Sequence, residues 1–173
     1  MLTMIIIAAL IALIALGMAW VLISRNLDIK EKSIRLADQQ KRQASIAALK
    51  ISACERLTIM LERSTPTSVV MRLPVTGMSA AMLQLEVIKS IRQEFEHNVG
   101  LQIYVHPSTW SEIIEAKEET IEIIKLAFQE LTAESSAIEL SQRIFLFEAK
   151  TENAAIKKAL TSIREEMSHQ FEF

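Results

Sequence analysis

The sequence predicts an all-α protein: an N-terminal transmembrane helix continuing into a stalk and a small cytoplasmic helical bundle. Residues 1–23 carry no charge, and only Thr3 and Gly17 fall outside the apolar set. Gly and Pro are scarce, at three each, while Ala, Ile, Leu, Glu and Lys abound, which favours long helices over sheets. Beyond residue 45 the apolar residues recur at steps of three and four, the period of a helix buried on one face. Three segments follow: a transmembrane helix over 1–23, a juxtamembrane helical stalk over 24–45 and a cytoplasmic helical domain over 46–173.

A helix rises ~1.5 Å per residue, so roughly 20 apolar residues match a ~30 Å hydrocarbon core, and the run 1–23 meets that length. A cleaved signal peptide is the alternative. It needs a basic leader, a shorter apolar stretch and a small-residue cleavage site. Here no Lys or Arg precedes the run, the run is longer, and no A-x-A site follows it. Orientation follows from Arg25, Lys30, Lys32, Arg35, Lys41, Arg42 and Lys50, all after the span. The positive-inside bias places the N-terminus outside and the C-terminus in the cytoplasm, in an inner (cytoplasmic) membrane. Against Asp28, Glu31 and Asp38 these cations leave +4 over residues 24–50, enough to draw the stalk toward anionic headgroups. The whole chain is near balance at −2, so nucleic acid is not an expected partner. The single Cys54 forms no internal disulfide, in keeping with a reducing compartment, and reads as a small buried hydrophobe.

From Arg25 to Arg63 there is no Pro or Gly, and one helix is expected. Its second half carries the stripe Ile46, Leu49, Ala53, Leu57, Met60 and Leu61. Glu55-Arg56 recurs as Glu62-Arg63, the single repeat of a coiled-coil flank, where a sustained coiled coil needs three or four. Thr65 then caps a short helix with Pro66 at its first position, and Pro74 with Thr76-Gly77 makes a turn. Ser79 opens an amphipathic helix with Met82, Leu85, Ile88, Ile91, Phe95 and Val99 as its expected apolar face, ended by Gly100. Leu101 to Val105 alternates like a strand without a second strand to pair with. It is expected to be an extended connector burying Ile103 and Val105.

A capping box of Thr109 and Glu112 is expected to start the next helix, which runs to about Thr132 with Trp110, Ile113, Ile121, Ile124, Phe128 and Leu131 inward. Ser135 or Ser136 caps the last helical stretch. The apolar stripe slips between Lys150 and Asn153, which predicts either a kink or two helices.

No constellation for chemistry emerges. Glu94 and His97 share a helix face at metal-ligand spacing, but no second such pair completes a site. No phosphate loop or nucleophile motif is present, so no catalytic, cofactor-binding or metal residue is expected and no enzyme activity either. The end Phe171-Glu172-Phe173 has the form of a ligand for a C-terminus-binding groove, although such ends more often tuck into their own core.

The blocks ERLTIMLERSTPTSVVMRL (Glu55 to Leu73) and SIRQEFEHNVGLQIYV (Ser90 to Val105), with Trp110 and the later Ala116-Lys117-Glu118, carry a resemblance. They resemble a family of uncharacterised membrane-anchored helical proteins of Bacteroidota. The resemblance implies an anchored helical domain and no activity. The expected function is a non-enzymatic scaffold or accessory subunit of a membrane complex, with a signal-relay or regulatory membrane protein as the alternative. Its partners would be the lipid bilayer and other membrane or cytoplasmic subunits, including a second copy of itself. The candidate interaction surface is Ile46, Leu49, Leu57 and Met60 together with Trp110.

Overall fold

The structure is a computed structural model that describes residues 1–132 and 134–171; the side chains of 3–6, 8–12, 23–24, 26–29 and 169–171 lie outside the description. Among the described residues every regular element is helical. They are α1 (Leu2–Arg63), α2 (Pro66–Val70), α3 (Ala80–Asn98), a 3-10 helix (Val99–Tyr104), α4 (Pro107–Gln129), α5 (Ala137–Thr151) and α6 (Ala154–Phe171). The chain divides into two compact units, residues 1–47 and 48–173.

The first unit is helical from Leu2 onward. Its described large apolar side chains, among them Leu13, Leu16, Met18 and Trp20, are exposed. Among the described residues no helix is long and apolar enough to cross a membrane. The run 1–23 on which that expectation rests includes residues 3–6, 8–12 and 23, whose side chains lie outside the described ones. Farther along, Arg35 pairs with Glu31 one turn back at 2.5 Å.

The second unit is a helical bundle with α4 at its centre, packed against α3, α5 and α6, while α3 and α2 also meet α5. Leu57 of α1, Leu83 and Ile91 of α3, Ile113 and Ile124 of α4 and Leu140 and Ile144 of α5 have no accessible surface. Local signals start the helices where the sequence places them. The Thr65 hydroxyl accepts from the Ser68 amide ahead of Pro66, and the Ser79 hydroxyl accepts from the Met82 amide. Ser136 and Glu139 form a reciprocal capping box. The starts of α3 and α5 are stitched together: the Ala80 amide donates to the Ser135 carbonyl at 2.7 Å, and the Ala137 amide to the Met78 carbonyl at 3.1 Å.

Several expectations are corrected. Residues 99–104 form a 3-10 helix, not an extended connector. Without a partner strand the backbone satisfies itself through i→i+3 bonds. Val105 is buried, but Ile103 is 76% exposed. On α3 the buried face is Ala80, Leu83, Val87, Ile91 and Phe95, while Met82, Leu85 and Val99 face outward. A run of three-residue steps precesses around a helix of 3.6 residues per turn, so Met82 and Leu85 cannot share a face with Phe95.

The cap of α4 is His106, whose Nδ1 accepts from the Ser108 amide at 3.3 Å; Thr109 sits inside the first turn and is buried. The helix ends at Gln129, short of Thr132. The slip at Lys150 to Asn153 is a break into two helices, with Glu152 and Asn153 both at φ 52°. Phe171-Glu172-Phe173 lies outside the described residues in its side chains.

Candidate interaction surface

The stripe on α1 divides. Leu57 and Met60 are buried in the bundle core, whereas Ile46 and Leu49 are 60% and 53% exposed and Trp110 is partly buried against the core. Leu57 and Met60 therefore do not belong to an open surface. The 3.6-residue pitch turns Ala53, Leu57 and Leu61 inward together and puts Glu55 and Ile59 on the opposite side. The flank Arg56 and Arg63 is used inside the chain: Arg63 Nε donates to Glu94 Oε1 at 2.6 Å, and Arg56 donates to Asn98 Oδ1 at 3.3 Å. Glu94 is thus committed to Arg63, and His97 points outward. Among the described residues no group of three or more His, Cys, Asp and Glu is placed to hold a metal ion.

Among the described residues, two of the concavities in the bundle adjoin α6. The first is a polar cleft of about 570 Å³ where α1, α4 and α6 meet. Lys50 Nζ lies 2.9 Å from Glu166 Oε1, with both side chains mostly withdrawn from water. The His106 amide donates to both Glu166 oxygens, at 2.9 and 3.1 Å, and the Thr109 hydroxyl adds a further bond. Burial pulls the Glu166 carboxyl upward, but Lys50, the His106 amide and Thr109 outweigh it and hold the carboxyl below its ordinary range. Ser162 donates to Glu112, and Lys158 reaches Glu115 at 3.0 Å. Chemically this is a clamp that ties the start of α4 and the end of α6 to α1.

The second concavity is an apolar groove of about 800 Å³ between α1 and α6. Its floor is Cys54 and Ile163, both buried; Ile51 and Met167 are half-buried along it, and Ile59 on its rim is 57% exposed. Burial is the main cause that pushes the Cys54 thiol up, with the Glu166 charge adding and Lys50 opposing. Cys54 therefore stays a thiol at neutral pH and acts as an apolar filler, not a nucleophile. Glu55 and Arg164 stand at the groove's edge. The sequence reading missed this surface because Ile59 falls off the core stripe of α1 and gains its setting from distant segments, α6 on one side and Glu94 and Asn98 of α3 on the other.

The fold defines an all-helical bundle protein whose polar cleft is matched internally and whose α1–α6 groove is apolar. The chain belongs to a family of unknown function, DUF7935, whose model matches residues 1–170. That membership carries no source and no statement on membrane attachment. No curated protein and no solved structure matches the chain.

Proposed function

We propose that the protein is a membrane-anchored cytoplasmic helical interaction module, a scaffold or accessory subunit of a membrane complex without a catalytic site of its own. The observation that carries this reading is the row of large apolar side chains on α1. Leu13, Leu16 and Trp20 are 69%, 68% and 75% exposed within a run that has no charge from residue 1 to 23. Each such side chain left in water forgoes about 1.5–3 kcal/mol of burial, and hydrocarbon recovers it. The seven cations that follow the run support a cytoplasmic position for the bundle.

A fusion at Phe173 tests both parts of the reading. Alkaline phosphatase attached there is expected to be inactive and a fluorescent protein bright, with the fusion sedimenting with membranes after a high-salt wash. Active phosphatase reverses the orientation, and a fusion that stays in the supernatant removes the anchor.

A further inference from the structure

We propose that the elbow between α5 and α6 is a hinge through which two copies of the chain exchange α6, giving a dimer in which residues 137–171 of each copy run as one helix. The exchange lies within the bundle and does not depend on the membrane anchor.

The elbow is held in a conformation that its residues disfavour. Glu152 and Asn153 both stand at φ 52°, in the left-handed region that glycine takes freely and Asn takes only as a single residue. Asn153 Nδ2 donates to Glu148 Oε1 at 2.6 Å, which leaves its Oδ1 buried and, among the described residues, without a hydrogen-bond partner. The amides of residues 153–156 make none of the bonds to carbonyls 149–152 that a continuous helix supplies. Lys157 closes the first turn of α6, where the helix dipole repels cations, and no acid stands in that turn.

The local sequence favours the straight form. From Ala137 to Phe171 there is no Gly or Pro, and Glu148, Ala149 and Lys150 before the elbow and Ala154 and Ala155 after it are strong helix formers. Helical bonds already stand on either side, from the Glu152 amide to the Glu148 carbonyl and from the Lys157 amide to the Asn153 carbonyl. Eleven residues make about three turns, so the buried Ile144 and Ala155 keep to one side of a straight helix. Straightening therefore relieves two left-handed residues and pairs the open amides.

What α6 gives up on leaving its own chain it regains on another. It packs chiefly on α4, and α5 packs on α4, α3 and α2, so opening the elbow separates no large surface between α5 and α6. The Lys50–Glu166 pair, the Ser162–Glu112 and Lys158–Glu115 bonds and the buried Ala159 and Ile163 are all re-made with α1 and α4 of a second copy. The exchanged dimer keeps the contacts of α6 and differs from the closed chain at the elbow, so only another α6 fits the vacated face in this way.

The test uses the full chain in detergent, with Cys54→Ala as background and Glu115→Cys with Lys158→Cys as the reporter. The native side chains are more than half exposed and meet across α4 and α6 at 3.0 Å. A short bifunctional maleimide joins the two sites within one chain when α6 is closed and between two chains when it is exchanged. Denaturing electrophoresis then reads single or double mass. Protein incubated just below its melting midpoint is expected to give a double-mass fraction that grows with concentration. Glu152→Ala with Asn153→Ala should raise that fraction about fivefold, and Glu152→Gly with Asn153→Gly, which frees the turn and weakens the helix, should lower it about as much. A monofunctional maleimide that labels every variant alike, with unchanged far-ultraviolet circular dichroism, shows that the bundle is folded throughout. Crosslinks confined to one chain at every concentration, or a double-mass fraction that ignores both elbow substitutions, overturn the proposal. A dimer seen by sedimentation whose crosslinks stay within each chain is simple association and overturns it as well.

Discussion

Leu57→Asp is expected to unfold the bundle of the full chain, whereas Leu49→Asp, about two turns earlier on the same helix, should leave the melting midpoint in place. Leu57 has no accessible surface and packs in the core, while Leu49 is 53% exposed. Truncating a buried Leu to Ala alone costs about 2–5 kcal/mol. An unpaired carboxylate in the same space adds a desolvation penalty that the total stability of about 5–15 kcal/mol cannot absorb. Thermal denaturation followed by circular dichroism decides it, with Leu57→Ala as the graded case between the two. Equal midpoints for Leu57→Asp and Leu49→Asp would mean that the inward face of α1 is wrongly assigned.

The second large effect is expected from Glu166→Gln. The substitution keeps the shape of the side chain but leaves Lys50, 23% exposed, without its counter-charge and the His106 amide without a charged acceptor. Breaking a buried pair by removing one partner costs about 3–5 kcal/mol, and this partly buried pair should fall at the lower end.

The pH dependence distinguishes this from a packing defect. The folded-state carboxyl titrates below its ordinary value of 4.5. Its contribution is therefore complete above that value and is lost as the pH falls through the lowered folded value. The native chain should lose stability on acidification more steeply than Glu166→Gln, and the two melting curves should converge in strong acid. A constant gap between them at all pH values would show that the charge of Glu166 is not what holds the cleft.

The parts of this fold that were legible in the sequence are those decided within a few residues. Ser79, Thr65 with Pro66, and Ser136 with Glu139 satisfy helix-start amides two or three positions away, so their meaning is contained in their own segment. The break after Thr151 was visible as a slip in apolar phase for the same reason, although its two left-handed residues, Glu152 and Asn153, were not.

What could not be read depends on distant parts of the chain. Lys50 looks like one more cation after the apolar run, and nothing near it announces a carboxylate 116 positions away at Glu166. Ile59 looks like an off-stripe residue until α6 places Ile163 and Met167 beside it. The phase of α3 failed differently: Met82, Leu85 and Ile88 offer a plausible stripe of their own, and only burial shows that Leu83 and Val87 win the core. The Leu101 to Val105 alternation was genuine in pattern, but with no neighbouring strand it had nothing to build.

The stitch between the starts of α3 and α5 bears on how the bundle opens. The first amides of a helix ordinarily lack a partner within it and trade their hydrogens with water whenever the end frays. Here the Ala80 and Ala137 amides are held by the segment that precedes the other helix, at Ser135 and Met78. Neither end can peel away without releasing its counterpart, across a sequence separation of more than 50 residues. Ala80 and Ala137 should therefore exchange their amide hydrogens with the same free energy of opening, as members of one cooperative unit, while the amides of Pro-led α4 exchange on their own schedule.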